Sequence, residues 1–214
     1  MRAFVITIEE NERSVQAANR CIKSAPFLVE RFRAVTPKDN PERIFKEYGL
    51  PTEAFEKDRR YSRKEPCMSA FLSHYQLWKR CIASNEEILI LEHDAMFTGN
   101  WPPSLGNYHG LISVGKPSYG RYGEPIMIGV NPLCSKKHLP GAHAYVVNPR
   151  GAKKIVEKAK TEAAPTDVYL HLDRFVWLEE YYPWPIEAKD SFTTIQHEGG
   201  CSAKHNYGEA YDII

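Results

Sequence analysis

Three ionisable side chains, Glu92, His93 and Asp94, follow directly on a run of four apolar residues, "ILIL" at 88–91, and the chain turns apolar again at 95–97. Two carboxylates held this close repel each other unless a basic partner, a raised pKa on one acid or a divalent cation relieves them. On an extended backbone Glu92 and Asp94 point the same way and His93 the other; where a strand is ending, all three reach one cleft. A cation bridged to a phosphate would give the acids a task, since Mg²⁺ or Mn²⁺ takes one or two carboxylates and fills its shell with water and phosphate oxygens. The competing reading is an acid that only caps the next turn or neutralises a lysine.

The rest of the chain has to place that strand end beside a ligand. The 214 residues, 43% hydrophobic and 26% charged, are enough to close a substantial core as one domain. A net charge of +1 argues against a protein that holds polyanions by field alone, although a local cluster can still meet a phosphate. The five cysteines are widely spaced and form no CxxC, which disfavours a disulfide framework or a cysteine zinc cluster. Cys21 and Cys81 lie in helical patterns and read as small buried hydrophobes. The first apolar run, residues 3–8, is too short for a leader and stops at Glu9 and Glu10; no segment approaches the roughly 18 apolar residues of a membrane span. A soluble cytoplasmic protein is expected (in the host cytoplasm if the source is viral).

Residues 3–8 read as a buried strand, 11–23 as a helix ended by Pro26, and 27–35 as a second strand, together a βαβ unit. Residues 36–65 hold Pro37, Pro41, Pro51 and the basic run "KDRRYSRK", and read as short helices and loop outside the sheet. Apolar residues recur at three and four over 68–84, where His74 and Trp78 share one side of a helix. Residues 88–91 and 111–115 read as central strands, 97–110 and 116–125 as loops, and 125–137 as ambiguous. Residues 142–147 read as a strand, followed by a helix capped by Asn148 with Pro149 at its first position. "PTDVYLHLDRFVWLEE" reads as a turn and an apolar-periodic helix, and 192–195 as a late strand. The sum is an α/β fold with a mostly parallel sheet, in which ligands sit beyond the carboxyl ends of the strands, where Glu92 to Asp94 fall.

"SAFLSHYQLWKRCIASNEEILILEHDAMF" resembles the signature region of glycosyltransferase family 25, which includes lipopolysaccharide sugar transferases and collagen galactosyltransferases. Ser73, His74 and Trp78 match the family's helix residues, while Ser69 and Ala70 stand where Gly and Cys are usual. Glu92 and Asp94 match the outer acids of its Glu-Asp-Asp strand end, with His93 replacing the middle Asp. "VITIEENERS" is similar to the family's first strand and polar loop, with Arg13 as its basic residue, and "GAHAYVVNPRGAKKIVEKA" to its Gly-Thr-His-Ala-Tyr block, with Ala142 replacing Thr. "PTDVYLHLD" fits the following segment, with Asp167 as its acid.

The resemblance implies a GT-A type, Rossmann-like fold over residues 1–214, with 1–115 as the nucleotide-sugar and metal half and 116–214 as the acceptor side. It implies a metal-dependent, inverting transfer of a sugar from a nucleoside diphosphate donor, UDP-linked, to a hydroxyl on a glycan, as in lipopolysaccharide biosynthesis. The metal, Mn²⁺ or Mg²⁺, would be held by Asp94 with Glu92 and, from a C-terminal loop, His197 or His205; His93 would be a nitrogen ligand, a phosphate donor or a residue turned into the sheet. Arg13 and the basic stretch Arg59, Arg60, Arg63 and Lys64 are the groups able to meet a diphosphate, the plainer reading of that stretch being a solvated charged loop. Ser73, His74 and His143 fall in family blocks, and a buried histidine bonded to backbone is the plainer reading of His74. Tyr119, with Arg121 and Tyr122, reads as a lid or an acceptor platform. Asp167 is preferred over Asp173 as the base, although Thr166 or Asp167 could merely cap a helix.

Two rivals stay open: a homologue that only binds a sugar nucleotide or glycan, and the same chemistry on a modified base in DNA, which the basic run at 57–64 permits. A nucleotide-binding oxidoreductase fails, because no GxGxxG follows the first strand.

Overall fold

The computed structural model of the chain describes residues 1–56, 63–99, 101–189 and 194–195. The opening unit forms as expected: β1 (Arg2–Thr7), α1 (Glu12–Ser24) and β2 (Glu30–Arg33), with β2 parallel to β1. The Asn11 side chain caps α1 by accepting from the Ser14 N–H at 3.2 Å, and Ala17, Ala18 and Cys21 give the helix its buried side. β2 is shorter than the apolar stretch around it and half exposed, as suits an edge strand. A 3-10 turn, α2 (Pro41–Tyr48) and α3 (Glu53–Glu56) make up the excursion before α4 (Lys64–Ser84).

β3 (Ile88–Glu92) then enters parallel to β1, pairing Ile88 with Arg2 and Glu92 with Ile6. The chain continues through β4 (Ala95–Phe97), β5 (Leu111–Ser113), β6 (Gly129–Pro132), β7 (Ala144–Val147), α5 (Pro149–Glu162), α6 (Thr166–Tyr169), β8 (Leu178–Tyr182) and β9 (Ile186–Ala188). The main sheet has seven strands in the order β2-β1-β3-β7-β5-β8-β6. Five of them, β1, β2, β3, β5 and β8, run one way; β7 opposes both of its neighbours and β6 opposes β8. This is the Rossmann-like α/β architecture expected, with the sheet mostly parallel.

Helices and loops cover both faces, which is why all four residues of "ILIL" are buried. Ile88 and Ile90 pack with Phe4, Tyr145 and Trp78 on the side of α4 and α5. Leu89 and Leu91 pack with Val5, Cys21 and Val146 on the side of α1. α5 can approach β5 closely because both chains carry glycine there: a Cβ at Gly151 would lie 2.3 Å from the Gly110 carbonyl oxygen.

Three sequence expectations are corrected. Phe97, read as the start of a loop over 97–110, ends a short strand at 95–97 that pairs with 186–188 in a small antiparallel sheet. Of the turn and helix expected over 165–180, helix is confined to Thr166–Tyr169, and the last residues of the stretch belong to β8. Glu179 and Glu180, which favour helix in isolation, are held in that buried strand because their carboxylates accept backbone N–H groups. Glu179 accepts from His109 at 2.6 Å, and Glu180 accepts from Cys134 and Ser135 at 2.7 Å each. Finally, of the late strand expected over 192–195, the two described residues, Thr194 and Ile195, form a bend.

Candidate functional site

Beyond the carboxyl ends of β1 and β3 lies a cavity of about 360 Å³. Ile6 and Ile8 continue β1 into it, Ala34 to Thr36 form the wall after β2, and Ser69, Ser73 and His74 of α4 face them. Glu92 and His93 close the acidic side; Arg13 and Arg63 bring positive charge. β3 ends at Glu92 and the next two residues turn, so strict alternation fails: Glu92 and His93 both line the cavity, and Asp94 is not among its lining residues.

Glu92 is anchored through both its side chain and its backbone. Its Oε1 lies 3.1 Å from His74 Nε2, and its backbone N–H donates to the His143 carbonyl at 2.9 Å. The side chain keeps 24% of its surface exposed but is otherwise enclosed by protein. That enclosure pushes its pKa up to about 7, with His93 pulling it down and Asp167 pushing it further up. Burial holds His74 down at about 3 against the pull of Asp167, so its imidazole is neutral. Ser73 faces the same cavity, but its hydroxyl accepts from Val35 N and donates to Ser69 O, both at 2.9 Å.

Asp94 is tied to the small sheet, its carbonyl accepting from Lys189 N at 2.8 Å. Its charge reaches Cys21, whose thiol burial chiefly pushes up to about 12, and His143, whose pKa burial lowers while Asp94 raises it. His143 is buried at the start of β7, and the reversed direction of that strand is what sets it beside the end of β3. Among the described residues neither of its ring nitrogens has a partner in hydrogen-bond geometry, although the Pro140 carbonyl lies near enough to favour its charged form. The ring presses on Gly115, where a Cβ would lie 2.5 Å from Nε2.

The match to known proteins gives this arrangement a lineage. A family model described as glycosyltransferase family 25 (LPS biosynthesis protein) matches residues 1–110, which is half of the chain. The chain belongs to glycosyltransferase family 25. It is also similar to a "Glycosyltransferase 25 family member" of Aedes aegypti, 28% identical over 115 residues. That alignment covers 48% of this chain and 19% of the mosquito protein, so the chain spans only a fraction of that relative's length.

In this family 25 chain the cavity brings together six residues singled out in the sequence: Arg13, Arg63, Ser73, His74, Glu92 and His93. Arg63 bridges to the C-terminal segment, its guanidinium donating to Thr194 O at 2.7 Å and its backbone N–H to Ile195 O at 3.0 Å. Lys64, from the same basic run, is held by Glu42 at 2.7 Å and Glu56 at 3.0 Å. Asp167 stands on α6, its Oδ2 accepting from the Tyr119 hydroxyl at 2.7 Å; its charge acts on Glu92, His74 and Cys67. Asp173 is exposed and turned to His171, whose Nδ1 accepts from its backbone N–H at 3.0 Å. Arg59, Arg60, His197 and His205 lie outside the described residues.

Among the described residues no three His, Cys, Asp or Glu side chains converge to hold a metal ion by themselves. Glu92 and His93 line the cavity and Asp94 does not, so a cation at this turn would rest on one or two of these side chains and fill its shell with phosphate oxygens and water. Two residues not singled out in the sequence are Tyr145, whose hydroxyl bonds to both Trp78 Nε1 and His74 Nδ1, and His138, whose Nε2 is 3.4 Å from the Tyr119 hydroxyl. Tyr145 stands in a fully buried strand, and nothing in its spacing separates a working hydroxyl from a core ring.

Proposed function

We propose that the chain transfers a sugar from a nucleoside diphosphate sugar, UDP-linked, to a hydroxyl on a glycan, with inversion at the transferred carbon. The observation that carries this is the cavity at the carboxyl end of β1 and β3, where arginines and acids face one another at a strand-end position favoured by ligands. The nucleotide occupies the space between the residues after β1 and β2 and the start of α4, with Arg13 on the diphosphate. A divalent cation held by Asp94 would neutralise the charge that builds on the leaving diphosphate.

The protein's own residues account for the rest. The acceptor oxygen attacks the anomeric carbon in line as the bond from that carbon to the phosphate oxygen breaks. Asp167 takes the hydroxyl proton, oriented by its 2.7 Å hydrogen bond from Tyr119. Glu92 Oε2 accepts from a donor hydroxyl while His74 holds Oε1 in place. Of the two rivals, transfer to DNA gains nothing from Lys64, which is already paired with two acids. The test is incubation with a panel of nucleotide sugars, a glycan acceptor and Mn²⁺, followed by assay of free nucleoside diphosphate. Release with the wild type and its loss in Asp167→Asn supports transfer; silence across the panel supports a binding module.

A further inference from the structure

His74, Trp78 and Tyr145 are buried at 1%, 0% and 0% exposure and joined in one chain of hydrogen bonds. Trp78 Nε1 lies 2.8 Å from the Tyr145 hydroxyl oxygen, that oxygen lies 2.8 Å from His74 Nδ1, and His74 Nε2 lies 3.1 Å from Glu92 Oε1. An indole N–H can only donate, so the Tyr145 oxygen accepts from Trp78. Among the described residues the partners of that hydroxyl are Trp78 and His74, so its hydrogen goes to His74 Nδ1. A neutral imidazole that accepts at Nδ1 carries its proton at Nε2. Nε2 is the atom that faces Glu92. The opposite tautomer would set Nδ1–H against the hydroxyl, leave the Tyr145 hydrogen without an acceptor in a closed core, and present a lone pair to the carboxylate.

We propose that Trp78 and Tyr145 set the tautomer of His74, and that all three are positioning residues which fix Glu92 in the cavity through the His74 Nε2–H. The polarity runs one way, from indole to phenol to imidazole to carboxylate. It explains why residues separated by 4, 14 and 53 positions along the chain, 74, 78, 92 and 145, act as a unit. Their spacing is set by one helical turn in α4 and by the register that lays β7 against β3. Glu92 Oε1 is committed to His74, which leaves Oε2 for whatever the cavity binds.

The relay itself is tested without any substrate. Two-dimensional ¹⁵N–¹H NMR of the labelled protein at neutral pH reads the protonation of each ring nitrogen of His74, assigned by comparison with His74→Gln. The expected result is a protonated Nε2 and an unprotonated Nδ1, with the bias lost in Tyr145→Phe. A protonated Nδ1, an imidazolium, or an unchanged tautomer in Tyr145→Phe overturns the proposal. The effect on turnover rests on the sugar-transfer reading. There, Tyr145→Phe and His74→Leu raise the donor KM roughly tenfold, the loss of one hydrogen bond to a charged group, and leave the acceptor KM unchanged. His74→Gln, whose amide can accept from Tyr145 and donate to Glu92, restores the donor KM. Equal donor KM values for Gln and Leu would also overturn the proposal. Absence of turnover in every form would count against the enzyme reading alone, because the NMR result stands apart from it.

Discussion

The Ser73 hydroxyl is the hinge between α4 and the wall of the cavity: it accepts from the Val35 N–H at 2.9 Å and donates to Ser69 O at 2.9 Å. Val35 is buried, so its N–H has no water to turn to. Ser73→Ala leaves that donor unsatisfied at a cost of about 1–3 kcal/mol. Urea unfolding is expected to show the loss, together with a raised donor KM, because residues 34–36 line the cavity. A stability equal to wild type would mean that the wall is held by other contacts.

Asp167 and Asp173 are six residues apart but in different surroundings. Asp167 takes the Tyr119 hydroxyl and its charge reaches Glu92, while Asp173 is exposed beside His171. Asp167→Asn is therefore expected to lower kcat by about a hundredfold or more, the contribution of a positioned base. Asp173→Asn should leave it near wild type. Initial rates at saturating donor distinguish them, and the reverse order would move the base to Asp173.

Three histidines, His74 and His143 buried and His138 half-buried, give stability a definite pH slope. The pKa of His74 is down at about 3, and burial lowers those of His138 and His143 from the ordinary 6.5. Below pH 6.5 the unfolded chain binds protons that the folded chain does not, so stability falls as the pH drops from 6.5 toward the folded values. Glu92 works the other way: its pKa is raised to about 7, so its folded form gains protons first as pH falls and its share of stability rises. In Glu92→Gln, which removes the opposing carboxyl, the thermal midpoint is expected to fall between pH 7 and pH 5. A flat or rising midpoint would show that the histidines are not held neutral.

Gly115 is where β5 gives way to His143. A Cβ there would lie 2.5 Å from His143 Nε2 and 2.9 Å from Cε1, in a buried place. Gly115→Ala is expected to destabilise by about 1–3 kcal/mol through overpacking. It should also reduce turnover, since the displaced ring neighbours Asp94. Thermal unfolding and steady-state rates check the two effects separately.

The parts of this fold written in local chemistry were legible in the sequence. Asn11 and Asn148 cap their helices, the latter accepting from Gly151 N at 2.9 Å, and "ILIL" forms a strand buried on both faces. The place of Glu92 at the carboxyl end of a central strand follows from the same pattern. What was hidden depends on distant partners. The reversal of β7 is set by the path of residues 116–143, and no residue inside "AYVV" encodes it. β4 and β9 are three residues each, too short to show a period. Glu179 and Glu180 look helical until backbone donors from other loops hold them in β8. The divergence of Glu92 and Asp94 came from a turn that begins one residue after the strand ends.

The central claim is that a nucleoside diphosphate seats in the cavity beyond β1 and β3, with its metal at Asp94. A crystal structure of the chain soaked with UDP and Mn²⁺ tests it most directly. The account predicts diphosphate density within hydrogen-bond distance of Arg13 and metal density within coordination distance of Asp94. Nucleotide bound away from this cavity, with the metal at a site that does not include Asp94, would contradict it.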